Sequence, residues 1–434
     1  MISPSSGISL DPWFDTYADR ASGLTASEVR ALFAVANRPE VVSLAGGMPF
    51  VSALPFDKVS RTVERVLKQS GASALQYGSG QGLPALREQI SNIMALEGIR
   101  AHADDIVVTT GSQQALDLVS KLFINPGDGV LAESPSYVGA IGLFRSYQAH
   151  VEHVEMDQEG MIPAALQEHI AHLRREAIPI KFLYLIPNFQ NPAGVTLSAG
   201  RRLEILDIAK AEGILVLEDN PYGLLWFDQP PPQAIRSADD AGVIYLGSFS
   251  KTFAPGLRVG WVVAPHGIRE KLVLASEAAI LSPSSFSQMI LADYFDSNDW
   301  KGQIDIFRDL YRERRDAMAG ALATHLPTIT HTNPTGGFYM WLTLPEGLDS
   351  KEMLPRAIKE LVAYTPGTAF YANGDGRANL RLAFCYPTPE FIEEGIKRLS
   401  RVITEEVELI DTFGPTASEA PLANTLDAPP PEVY

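Results

Sequence analysis

Between residue 106 and about residue 261, short apolar runs rich in β-branched residues alternate with segments of helical spacing. The runs at 106–109, 130–132, 182–186, 214–217, 243–246 and 259–263 read as strands, and several are apolar throughout, as strands covered on both faces tend to be. Between two of them Ala115, Leu116, Val119, Leu122 and Phe123 keep a helical period, and Leu203, Leu206, Ile208 and Ala209 keep it less regularly. Alternating strands and helices require crossover connections, so the pattern predicts an α/β domain with a mainly parallel sheet flanked by helices.

After about Arg315 the pattern changes. A helical stretch at 304–322 leads to an apolar run at 336–344, a helix at 353–362, a strand at 380–384 and a helix at 389–403, which together predict a smaller α+β domain. The expected division is an N-terminal segment (1–55) packed with the small domain, a large domain (56–315), the small domain (316–410) and a tail (411–434). From Asp411 onward there are five prolines and no lysine or arginine, a composition that predicts disorder. No internal repeat is evident.

Composition narrows the function classes. The 434 residues are 46% hydrophobic and 20% charged, as in a globular chain of two or three domains. A formal charge of −17 argues against nucleic acid and anionic membrane surfaces, yet leaves room for a phosphorylated cofactor, whose site is local. No apolar run is long enough to span a bilayer, and the first basic residue is Arg20, so no signal peptide is expected. A single cysteine, Cys385, excludes an internal disulfide framework and is expected to be a buried small residue. These features predict a cytoplasmic protein.

Four segments carry candidate chemistry. Gly247-Ser248-Phe249-Ser250-Lys251-Thr252, followed by Pro255-Gly256-Leu257-Arg258-Val259-Gly260, begins where a strand ends, and open α/β sheets bind ligands there. A partly desolvated Lys251 can form an imine with an aldehyde cofactor, while Ser248, Ser250 and Arg258 supply what a phosphate dianion requires. Asp219-Asn220-Pro221-Tyr222-Gly223 also follows a strand; Asp219 can keep a pyridine nitrogen protonated and Tyr222 can bond a ring oxygen, although an Asx turn explains the segment equally well. In Pro187-Asn188-Phe189-Gln190-Asn191-Pro192-Ala193-Gly194, the proline holds Asn191 extended, so that its amide can reach the same oxygen, unless the segment is turn chemistry alone. Thr109-Thr110-Gly111-Ser112-Gln113-Gln114-Ala115 joins a strand to a helix starting near Ser112, which makes a phosphate site, a simple Ser112 N-cap, or both.

In these segments the chain resembles the fold-type I pyridoxal-phosphate (PLP) aminotransferases of class I/II, and most closely the branch of kynurenine and 2-aminoadipate aminotransferases. The resemblance covers roughly residues 15–405. It implies PLP held as a Schiff base on Lys251, with Ser112, Gln113, Asn191, Asp219, Tyr222, Ser248, Ser250 and Arg258 around it. It also implies that Tyr137 stacks on the ring and that Tyr77 reaches the phosphate across a homodimer. Gly47, Asn191 and Arg381 would bind substrate, with Arg381 gripping the α-carboxylate. Phe50 follows Gly46-Gly47-Met48-Pro49 where many relatives have asparagine. Relatives that prefer a second carboxylate have an arginine where this chain has Gly23, shortly before Ala26-Ser27-Glu28-Val29-Arg30. A bulky apolar or aromatic donor and an acceptor such as 2-oxoglutarate are therefore expected, with Arg20, one helical turn upstream, as a substitute charge.

Other signals are weaker. Gly78-Ser79-Gly80-Gln81-Gly82 lacks the lysine of a P-loop. The pairs His150/His153 and His169/His172 read as solvated histidines and not as metal ligands, and Asp104-Asp105 and Asp239-Asp240 as solvated turns. No metal site is expected. The rival functions are β-elimination or decarboxylation on the same scaffold and, in another class, a non-catalytic PLP-binding sensor.

Overall fold

The computed structural model describes residues 13, 16–23, 38 and 40–414. After β1 (Val42–Ser43), the strands of the main sheet are β2 (Ile106–Thr109), β3 (Gly129–Ser134), β4 (His150–Asp157), β5 (Gly160–Met161), β6 (Ile180–Leu185), β7 (Leu215–Asp219), β8 (Val243–Ser248) and β9 (Gly260–Val263). Their spatial order is β2-β9-β8-β7-β6-β3-β4-β5. The central pairs β8-β7, β7-β6, β6-β3 and β3-β4 are parallel. β9 runs antiparallel to both of its neighbours, unlike the rest of the expected parallel set. The reason is its connection: a loop without a crossover helix returns the chain from β8, and only an antiparallel strand can follow.

Helices cover both faces. Ser112–Phe123 buries Ala115, Leu116, Leu118 and Val119, the face its apolar period marks. Its N-cap is Gly111 at φ +78°, so Ser112 is the first helical residue and not the cap. A side chain at Gly111 would run into the Arg258 guanidinium.

Four further strands, β10 (Thr330–His331), β11 (Tyr339–Thr343), β13 (Thr365–Pro366) and β14 (Asn379–Ala383), form an antiparallel sheet in the order β10-β11-β14-β13. Between them β12 (Val362–Ala363) pairs in parallel with β1. The helix expected at 353–362 is Ser350–Lys359, started by Asp349, whose carboxylate accepts from the Lys351 and Glu352 amides. Leu361 at φ +59° then turns the chain into β12. The helix expected at 304–322 spans Trp300–His325, capped by Asp299. The last helix, Pro389–Phe413, continues ten residues past the expected end and takes in the start of the expected tail. Residues 415–434 lie outside the described residues. The turn Asp19–Gly23 packs beside the helix Val138–Ser146. Among the described residues, no helix is long and apolar enough to cross a membrane.

Candidate active site

The parallel strands β3, β6, β7 and β8 end at one edge of the sheet, and β2, twice reversed through β9, ends there too. The loops that follow carry the four segments singled out in the sequence, together with Tyr137. This is the edge where open α/β sheets bind ligands.

Lys251 is half-buried, and its Nζ donates to the Gly47 carbonyl at 3.0 Å. The Ser248 hydroxyl accepts from the Ser250 amide at 3.1 Å, which fixes the turn before the lysine. Arg258 adopts φ +53°, uncommon for a residue with a side chain, and reaches the Ser250 hydroxyl at 3.5 Å and the Thr110 carbonyl at 3.3 Å. Gly260 lies so close to the first turn of the Ser112–Phe123 helix that an added Cβ would sit 2.6 Å from the Ser112 amide nitrogen. A guanidinium, two hydroxyls and a helix N-terminus therefore surround one point, as a phosphate requires.

Asp219 closes β7. Its Oδ2 accepts from the Tyr184 hydroxyl at 2.8 Å, while Oδ1 is buried without a hydrogen-bond partner. Burial raises its pKa to about 6, against the smaller lowering effect of Tyr184. An unpaired carboxylate oxygen in a dry site calls for a cationic donor. Beside it Tyr137 is half-buried, its hydroxyl 3.4 Å from Gln113 Oε1 and its pKa pushed up by burial to about 12. Asn220 is locked by Glu97 at 2.7 Å and Asn188 at 3.0 Å, and this buried network fixes the loop carrying Asp219 and Tyr222.

Arg381, on β14, is 3% exposed and sits between the rings of Tyr339 (4.2 Å) and Phe370 (4.8 Å). Nη1 donates to Asn191 Oδ1 at 2.8 Å, Nη2 to the Ala45 carbonyl at 2.7 Å, and Nε has no partner. The Asn191–Pro192 peptide is cis, and the Asn191 side chain faces Arg381. The structure thus brings together Gly47, Ser112, Gln113, Tyr137, Asn191, Asp219, Tyr222, Ser248, Ser250, Lys251, Arg258 and Arg381.

Tyr77 stands apart, 78% exposed on the protomer surface. Arg20 lies near Tyr147, at the end of the Val138–Ser146 helix remote from Tyr137, and 24–30 lie outside the described residues. Three histidines are not simply solvated. Glu152 meets His150 at 3.1 Å and His169 at 2.6 Å, and His169 also meets Glu155 at 2.9 Å. His153 accepts from the Ala372 amide through Nε2 and so donates through Nδ1 to the Glu133 carbonyl. The two aspartate turns carry ion pairs: Asp104 with Arg87, Asp105 with Arg269 and Asp239 with Lys210. Cys385 is buried. Among the described residues, no cluster of three or more histidine, cysteine or carboxylate side chains could hold a metal. Sequence reasoning missed Tyr184 and Tyr339; a tyrosine inside an otherwise apolar strand was the available signal.

Pyridoxal phosphate fits this donor set. A pyridinium nitrogen would satisfy Asp219 Oδ1, Arg258 and the Ser112 helix N-terminus would hold a phosphate, and Lys251 would take an aldehyde.

The comparisons agree with this chemistry. The family model "Aminotransferase class I and II" matches residues 44–399. Aromatic-amino-acid aminotransferase 1 of Thermococcus litoralis is 41% identical over 396 residues, 90% of this chain and 95% of that protein. The 2-aminoadipate transaminase of Thermus thermophilus is 37% identical over 403 residues, 92% of this chain and 99% of its own. The solved structure of Pyrococcus horikoshii kynurenine aminotransferase superposes with a TM-score of 0.87 at 39% identity, covering 91% of this chain and 98% of that one. With family, fold and donor set in agreement, the chain belongs to the class I and II aminotransferases and is a pyridoxal-phosphate-dependent enzyme of amino-group transfer.

Proposed function

We propose that this enzyme takes the amino group of a bulky apolar or aromatic amino acid and passes it to a 2-oxo acid such as 2-oxoglutarate, working as a cytoplasmic homodimer. One observation carries the catalytic reading: a buried, unpartnered Asp219 oxygen lies on the strand next to the one that leads into Lys251. The cofactor supplies an aldehyde and a pyridinium ring that withdraws electrons from the substrate's α-carbon. Lys251 provides the amine that links to it. Displaced by the incoming amino acid, Lys251 Nζ would take the proton from the substrate Cα and serve as base and then acid of the 1,3-proton shift across the imine nitrogen. Asp219 would hold the ring nitrogen protonated, Tyr222 and Asn191 would bond the ring oxygen, and Tyr137 would cover the ring face. Arg381 and the Gly47 turn bind the α-carboxylate common to donors and acceptors, because a planar fork suits a carboxylate.

The domain division proposed with this reading is 1–55, 56–315 and 316–410; Val42–Ser43 pairs with β12 of the small domain, whereas Asp19–Gly23 packs on the Val138–Ser146 helix of the large one. The homodimer rests on Tyr77, which is exposed here and which the resemblance takes to a partner's phosphate. An apolar hollow lined by Val51, Leu54, Phe56, Val59, Phe253 and Leu257, beside the Lys251 loop, favours the same assembly. The donor preference rests on Gly23, where relatives that prefer a second carboxylate have an arginine, and on the exposed position of Arg20 beside Tyr147. The 41% identical aromatic-amino-acid aminotransferase supports it, and the 2-aminoadipate transaminase marks the competing specificity. The test is kcat/KM for phenylalanine, leucine, kynurenine, 2-aminoadipate and glutamate under one set of conditions. Aromatic or leucine donors should lead; 2-aminoadipate ahead of every apolar donor would overturn the preference.

A further inference from the structure

The geometry points to Tyr339 as a positioning residue of the reaction, one that acts through the hydroxyl of Tyr222. The β11–β14 register places Tyr339 opposite Ala383 and Trp341 opposite Arg381, so Tyr339 and Arg381 are diagonal neighbours on one face of the small sheet. The Arg381 guanidinium consequently lies over the Tyr339 ring, 4.2 Å from its centroid. Its hydroxyl projects past the arginine to two further parts of the site. It lies 3.4 Å from the Tyr222 hydroxyl, and it packs so tightly on Gly47 that an added Cβ there would overlap it. The Gly47 carbonyl in turn accepts from Lys251 Nζ. Tyr339 is 3% exposed, and its hydroxyl accepts a hydrogen bond from Tyr222.

Each phenol has one proton to donate. Here the Tyr222 hydroxyl is the donor to Tyr339, and a proton spent on Tyr339 is not available to a cofactor oxygen. If Tyr339 donates to Tyr222, the Tyr222 proton is free to point at the cofactor, and the chain of two hydroxyls makes it a better donor. A separation of 3.4 Å is long for such a bond, and bonds of this kind tighten when the site is loaded. Tyr339 thus sets the direction of the Tyr222 proton while its ring holds Arg381, coupling the carboxylate grip to the ring oxygen. This inference rests on the proposed contact between Tyr222 and that oxygen.

The test is a spectrophotometric pH titration of the cofactor bound to the resting holoenzyme, in wild type, Tyr222→Phe, Tyr339→Phe and the double variant. A donor to the ring oxygen favours the deprotonated chromophore, so losing it moves the midpoint to higher pH. Tyr222→Phe is expected to shift the midpoint up, and Tyr339→Phe by about half a pH unit, the size of one modest hydrogen bond. The double variant should match Tyr222→Phe alone, because Tyr339 acts only through that hydroxyl. A shift with Tyr222→Phe and none with Tyr339→Phe would overturn the inference and leave the reading of the site intact. Additive shifts in the double variant would also overturn it, since Tyr339 would then act independently of Tyr222. No shift in either single variant would overturn both. Phenylalanine keeps the ring on Arg381, and an unchanged melting temperature of Tyr339→Phe separates lost positioning from lost packing.

Discussion

Replacing Asp219 with asparagine separates electronic control of the cofactor from mere binding. The carboxylate is buried at the end of β7, with Oδ2 held by Tyr184 at 2.8 Å and Oδ1 free to pair with a pyridinium. Asparagine is isosteric and keeps an oxygen for Tyr184, so neither fold nor loop should move. What disappears is the charge opposite the ring nitrogen. Breaking one half of a buried charge pair costs about 3–5 kcal/mol. If that stabilisation is concentrated in the transition state, kcat should fall roughly 10²- to 10⁴-fold. The phosphate cradle and Lys251 are untouched, so the variant should still purify with most of its cofactor. The assay is the single-turnover half-reaction with a saturating amino donor, followed by cofactor absorbance, with cofactor content measured in parallel. A variant that keeps its cofactor and turns over within about threefold of wild type would refute the role of Asp219.

Three further outcomes are expected. In the cofactor-free protein, burial raises Asp219 to about 6, Glu97 to about 7 and Glu133 to about 8. An acid whose folded pKa lies above its unfolded value binds more protons when folded, so stability should fall as pH rises from about 4 to about 8. The Asp219 share, between about pH 4 and about pH 6, should vanish in cofactor-free Asp219→Asn. Melting temperatures at pH 4.5 and pH 7 check this, and equal losses in both proteins would contradict it. Arg381→Lys should lower kcat/KM for every amino and oxo acid by about 10²-fold, because a lysine cannot reproduce the planar fork; an effect confined to one substrate would count against it. Mixing inactive Tyr77 and Lys251 variants should restore activity through heterodimers with one complete site, and sedimentation should show a dimer; a fully active monomer would rule this out.

How far the sequence reaches is clear from particular residues. β7 and β8 are legible because buried parallel strands leave unbroken apolar runs, and the chemistry begins at once after them. The direction of β9 is not legible from its apolar run, because the short return from β8 sets it. β4, His150–Asp157, was missed because its charged side chains break the apolar pattern, and their partners His169 and Arg201 come from distant segments. Tyr184 and Tyr339 escaped for a related reason. Their contacts with Asp219 and Arg381 depend on strand register, which brings together residues remote in the chain. The roles of Lys251 and Arg381 were accessible through resemblance, while the partners that position them emerge only from the packed sheets.

The central claim is that Lys251 carries the cofactor, and borohydride reduction tests it most directly. The holoenzyme is reduced, digested and mapped by mass spectrometry. A reduced cofactor adduct on the peptide containing Ser250-Lys251-Thr252, absent from Lys251→Ala, is the expected result. An adduct mapped to any other lysine would contradict the account.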